Sequence, residues 1–158
     1  MLEFQHLVQV NDLANTSIRV LTRNQLWQGL VMRARTPEKF NPSLSCSTEE
    51  VGSNVFIRTI QVGKISFCEQ VVLKPEKQIQ TRSVANKKQI LTESIASIEE
   101  PEDGYLFVRF TYKRELEELS DGVNVGEHLK AAYLQVDRDA IAMIRVLAEA
   151  RLFDETIN

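Results

Sequence analysis

Near the end of the chain Leu129, Ala132, Tyr133, Val136, Ala140, Met143, Ile144 and Leu147 recur at helical spacing. Asn124 followed by Glu127 matches a capping pair, so the stripe predicts one long helix from about Asn124 to about Leu152. A stripe of that length must be buried, and almost everything before it reads as strand. The sheet's inner face is therefore the expected partner, and the sheet must curl around the helix. The periodicity turns Leu129, Tyr133, Val136, Ala140 and Met143 towards the sheet and leaves Lys130, Gln135, Asp137 and Arg138 outside.

The chain opens with a period of two, Phe4, His6, Val8 and Val10 alternating with Glu3, Gln5 and Gln9, which predicts a first strand. Thr22 and Gln25 form a capping box ahead of Leu26, Trp27, Leu30, Val31 and Ala34, so a helix follows to about Arg35. Thr36-Pro37 reads as an N-cap with proline in the first turn, predicting a short second helix over Pro37 to Phe40. Six apolar or β-branched runs come next: Leu44 to Val51, Val55 to Val62, Ser66 to Leu73, Gln78 to Val84, Gln89 to Ile98 and Tyr105 to Leu116. Short separators rich in turn formers, Gly52-Ser53-Asn54, Gly63-Lys64, Pro75-Glu76-Lys77, Asn86-Lys87-Lys88 and Pro101 to Gly104, make neighbouring strands antiparallel.

Composition removes several function classes. Apolar residues at 43% and charged residues at 26% of 158 describe one ordinary globular domain spanning residues 1–158. A net charge of -3 offers no general attraction to phosphate backbones, so nucleic acid is not an expected partner. No run approaches the length of a membrane span, and the strand-like start lacks the pattern of a signal region, so a cytoplasmic location is expected. Cys46 and Cys68 have no C-x-x-C spacing or neighbouring histidine and read as reduced thiols. With no G-x-S-x-G, H-E-x-x-H, phosphate-binding or dinucleotide-binding motif, no metal and no cofactor are expected, and no catalytic residue is assigned. The pairs Glu49-Glu50, Glu99-Glu100 and Glu117-Glu118 face opposite sides of a strand and are poor acid/base partners.

The stretches Phe4 to Asp12 (FQHLVQVND), Leu26 to Arg35 (LWQGLVMRAR) with Pro37, Glu99-Glu100-Pro101, and Leu106 to Tyr112 (LFVRFTY) resemble the AtaL-like branch of the SRPBCC superfamily. That superfamily also holds the birch-pollen allergen, the START lipid-transfer domains and the aromatase/cyclases. The resemblance implies an α+β helix-grip fold: a seven-stranded curved antiparallel sheet around a long C-terminal helix, two short helices after the first strand, and the first and last strands paired. It also implies a ligand cavity between sheet and helix. It carries no reaction, because one fold hosts many functions.

Several residues are placed to meet such a ligand. His6 shares the apolar face of its strand, where it can touch ligand or move a proton, or serve as a hydrogen-bonded core histidine. Leu106, Val108, Phe110 and Tyr112 share one face, taken as inward, with Tyr112 offering one hydroxyl in an apolar wall and Arg109 left outside. In the preceding strand Ile90, Thr92, Ser94, Ala96 and Ile98 are taken as inward, and the small Ser94 and Ala96 leave room for a ligand or for closer helix packing. Trp27, Tyr133 and Met143 complete the candidate set; each also reads as an ordinary packing residue. His128 is expected in solvent.

Two functions follow. One is a protein that binds an apolar lipid, polyketide or aromatic metabolite, which needs only an apolar cavity with a few convergent polar groups. The other is a polyketide cyclase-like or isomerase-type enzyme in which His6 and Tyr112 move protons. A third, a partner-binding module, would require a large apolar patch on the sheet's outer face.

Overall fold

Alternation at the start of the chain forms β1, Leu2–Gln9, in which Leu2, Phe4, His6 and Val8 turn away from solvent while Leu7 stays 45% exposed on the other side. The computed structural model describes residues 1–85, 89–116 and 125–153. Asn11, fully buried, folds the loop after β1 back on itself: its amide donates to the carbonyls of Leu21 and Gly104 and its oxygen accepts from the Leu21 N–H. Thr22 and Gln25 then make the reciprocal capping box that starts α1, Arg23–Arg35. One 3-10 turn, Pro37–Lys39, follows. Thr36 does not cap it with its side chain; the hydroxyl instead donates to the Met32 carbonyl at the end of α1.

The meander follows as β2 (Ser45–Gly52), β3 (Val55–Val62), β4 (Ile65–Lys74), β5 (Gln78–Ser83), β6 (Thr92–Glu102) and β7 (Tyr105–Arg114). All neighbours are antiparallel, in the order β1-β7-β6-β5-β4-β3-β2. β6 begins later than the sequence predicts because Gln89 lies outside the ladder and uses its side-chain amide to bond the backbone of Cys68 and Val84. It also ends later, running through Pro101 to Glu102 by way of a register shift, where a missing N–H is tolerated. The expected turn at Asn86-Lys87-Lys88 and the expected cap at Asn124 lie outside the described residues.

The last helix, α2, spans Val125–Glu149. Its buried face is Asp137, Ala140, Ile141, Ile144 and Ala148, so the predicted stripe is rotated. Val136 and Met143, expected inside, are 54% and 38% exposed, while Asp137, expected outside, is fully buried. Close packing on α1 fixes this rotation, for a Cβ at Gly29 of α1 would come within 2.7 Å of Ile144 Cγ1. A chain of buried hydrophobics joins Leu26, Leu30 and Ala34 of α1 to Phe56, Val71, Leu73, Ile79 and Ile98 of the sheet and to Ile141, Ile144 and Ala148 of α2. Each large member contributes about 1.5–3 kcal/mol through burial.

The register shows that this core fills only part of the concave face. Inward side chains form rows across the strands: His6, Phe110, Ala96 and Ile79, then Phe4, Tyr112, Ser94, Thr81, Val71 and Phe56. The next row is Thr92, Ser83, Glu69 and Arg58, and beyond it lie Phe67, Ile60 and Cys46, then Ile65 and Val62. α1 covers Phe56 and Val71, both fully buried, and ends at Arg35. Past it, Val62, Phe67 and Ile65 point to the concave side yet remain 37%, 43% and 60% exposed.

Candidate functional site

At the β1–β7 side of the concave face stands a buried polar cluster. β1 supplies His6, β7 supplies Tyr112, α1 supplies Arg33, and all three converge on Asp137 of α2. The Tyr112 hydroxyl donates to Asp137 Oδ2 at 2.6 Å, His6 Nε2 lies 2.7 Å from the same oxygen, and Arg33 Nη2 donates to Oδ1 at 2.9 Å. The carboxylate is fully buried, and the His6 and Arg33 side chains are 8% and 24% exposed. A buried charge needs this many partners, since each buried polar group left unpaired costs about 1–3 kcal/mol.

Aromatic rings frame the cluster. His6 stacks with Phe4 at 5.5 Å and with Phe110 at 5.3 Å, and the Arg33 guanidinium lies 5.7 Å from the Phe110 centroid. Tyr133 of α2 stacks on Tyr112 at 3.9 Å and 11°. Burial first, and the Asp137 charge second, push the Tyr112 phenol far above its ordinary value, so it remains a hydrogen-bond donor. Further along the concave face Arg58 bridges two elements, pairing with Glu69 and donating to the Ala34 carbonyl at the end of α1.

Of the residues singled out in the sequence, His6, Phe110, Tyr112 and Tyr133 come together here, with Ser94 beside Tyr112 in register. Trp27 does not join them; it lines an open hollow of about 390 Å³ between α1, the 3-10 turn and the residues after α2, with Val31, Met32, Lys39 and Leu152. Met143 lies on the exposed flank of α2. A second hollow, of about 290 Å³, lies along the β1–β7 ladder and is lined by Phe4 and Tyr112 as well as by Glu3, Gln5, Thr111 and Lys113. His128 is exposed, and Arg109 pairs with Glu99 at 2.5 Å on the outer face.

Sequence reasoning missed Asp137 and Arg33. A signal existed for the first, because Asp137 stands four residues after Tyr133 and four before Ile141, inside the buried stripe. Among the described residues no group of three or more His, Cys, Asp or Glu could hold a metal ion, and no helix is long and apolar enough to cross a membrane.

Residues 8–151 match the family described as AtaL, acetylaranotin biosynthesis cluster protein L. The chain belongs to this family. As a member of the AtaL family it also shares its fold with solved structures of low sequence identity. The di-domain aromatase/cyclase StfQ of the steffimycin biosynthetic pathway aligns at a TM-score of 0.72 and 12% identity over 96% of this chain and 51% of that one. The chain thus spans about half the length of StfQ. The Zhui aromatase/cyclase from a Streptomyces species gives 0.63 and 14% over 95% and 94% of the two chains. A START superfamily protein from Mycobacterium smegmatis gives 0.65 and 12% over 93% and 99%. No curated protein sequence matches the chain. These likenesses show a shared helix-grip fold, the curved seven-stranded sheet and long C-terminal helix described above.

Proposed function

We propose that this protein binds an apolar small molecule, a lipid, polyketide or aromatic metabolite, in the open part of the concave face between α2 and the sheet. One observation carries the reading: Val62, Ile65 and Phe67 point inward, to the side the helices cover elsewhere, and are not covered. Apolar side chains in a concavity, bordered by a few fixed polar groups, are what a site for such a ligand requires. His6, Ser94, Phe110, Tyr112 and Tyr133 form its polar and aromatic border in this reading, and the kinship with START and aromatase/cyclase structures agrees with it.

The test is titration with the neutral polarity-sensitive dye N-phenyl-1-naphthylamine, together with native mass spectrometry of the protein as purified. Phe67→Glu should weaken dye binding at least about 5-fold, because a charge must then be desolvated. Leu7→Glu, on the outer face, should leave binding unchanged. Equal effects of the two substitutions, or no binding, would refute the site.

A second reading, a cyclase or isomerase working in the same place, is favoured by the contact between His6 Nε2 and a buried carboxylate. That arrangement fixes an imidazole for proton transfer. A His6→Phe variant that still binds a reactive polyketide mimic but no longer converts it would select this reading. Binding without conversion by the unaltered protein would select the first.

A further inference from the structure

The open part of the concave face has a polar inner end. Arg58 and Glu69 stand opposite each other on β3 and β4, and each lies two residues from an inward apolar neighbour on its own strand, Ile60 and Phe67 respectively. Two residues of strand span about 7 Å, so a molecule lying on Ile60 and Phe67 reaches the pair with its next atoms. The pair also marks where the helical cover stops, since Arg58 Nη1 donates at 2.8 Å to the carbonyl of Ala34, one residue before α1 ends. Unlike Asp137, both partners keep some contact with solvent: their side chains are 15% and 17% exposed.

Hydrogen bonding leaves this pair half used. Arg58 Nε and Nη2 both approach the same oxygen, Glu69 Oε1, at 3.0 and 2.9 Å. Glu69 Oε2 receives no hydrogen bond among the described residues, and it is not buried. Of the five N–H groups of Arg58, at most three are engaged, on Oε1 and on the Ala34 carbonyl. A free acceptor and free donors therefore lie side by side on a pair without net charge.

That combination selects a group that both donates and accepts. A hydroxyl does so through one oxygen. A carboxylate only accepts and would face the Glu69 charge, whereas an ammonium only donates and would face the Arg58 charge.

We propose that the ligand of the concave site carries an un-ionised hydroxyl at its inner end, which donates to Glu69 Oε2 and accepts from the Arg58 guanidinium while its apolar body lies along Ile60, Phe67, Ile65 and Val62. This rests on the binding reading above and narrows it from apolar molecules in general to apolar alcohols and phenols. Free fatty acids are disfavoured ligands.

The experiment measures displacement of N-phenyl-1-naphthylamine from the full chain at neutral pH by decanol, by its methyl ether and by decanoate. Decanol should bind about 3- to 10-fold more tightly than the ether, the worth of one hydrogen bond, and more tightly than decanoate. Glu69→Gln leaves the Arg58 charge unopposed, so in that variant decanoate should bind more tightly than decanol; a purely structural role of Glu69 would weaken all three alike. The order of the three compounds on the unaltered protein decides the matter even where the variant fails to fold. Decanol no tighter than its ether, decanoate at least as tight as decanol, or a folded Glu69→Gln variant that keeps the original order would overturn the inference and leave the binding site standing. Failure of all three to displace bound dye would overturn it as well, whereas absence of dye binding would remove the binding reading itself.

Discussion

Replacing Asp137 by alanine should be among the most damaging single changes in this chain. The carboxylate is fully buried and holds Tyr112 at 2.6 Å, His6 at 2.7 Å and Arg33 at 2.9 Å. Removing one partner of a buried ion pair typically costs about 3–5 kcal/mol, because the other charge is left without compensation. Here the Arg33 side chain is 24% exposed and can recover water, which offsets part of that cost. The Tyr112 hydroxyl and the His6 N–H cannot, and each unmet buried donor costs about 1–3 kcal/mol. The contributions overlap, since the three donors share one acceptor, so the expected loss is about 3–5 kcal/mol and not their sum. Against a usual domain stability of about 5–15 kcal/mol, such a variant is close to unfolding. Asp137→Asn keeps the shape and one acceptor oxygen and should lose about 1.5–3 kcal/mol, the worth of a hydrogen bond to a charged group. Equilibrium urea unfolding at neutral pH measures both. A loss below about 1 kcal/mol for Asp137→Ala would refute the claim that this carboxylate ties the two helices to the sheet.

Gly29→Ala should destabilise by about 1–3 kcal/mol despite alanine's better helix propensity, because the new methyl meets Ile144. Adding Ile144→Val should recover part of the loss, and a stabilised single variant would contradict the packing described. Thr22→Ala should cost about 1 kcal/mol through the lost capping box, read as a lower unfolding temperature. In an alkaline absorbance titration one of the three tyrosines, Tyr112, should remain un-ionised at about pH 11, and Tyr112→Phe should remove that silent group. The Gly104 N–H and then Arg23 hold Glu100 below its ordinary value near 4.5, so its stabilising effect is present above that pH and is lost as pH falls through the lowered value. Glu100→Gln should accordingly flatten the acid limb of the stability curve, and an unchanged limb would count against the contact.

Periodicity, turn chemistry and capping are local properties, and they determined much of this protein without reference to anything distant. The alternation of Phe4, His6 and Val8 set the inward face of β1 and that of Leu106, Val108, Phe110 and Tyr112 the inward face of β7, while the register that puts Phe110 and Tyr112 opposite His6 and Phe4 belongs to the tertiary fold. Thr22 and Gln25 announced α1, and the turn residues around Gly63 and Pro75 delimited β4. Which part of α2 is buried was another matter. A stripe wide enough to include both Val136 and Ile144 can be rotated either way, and an aspartate inside it reads as solvent-facing by its own chemistry. The partners that bury Asp137, namely Tyr112, Arg33 and His6, lie 25, 104 and 131 residues away in sequence. No local pattern carries that information. Only the tertiary fold brings three donors to one carboxylate, and the desolvation of that charge is tolerable solely where all three meet.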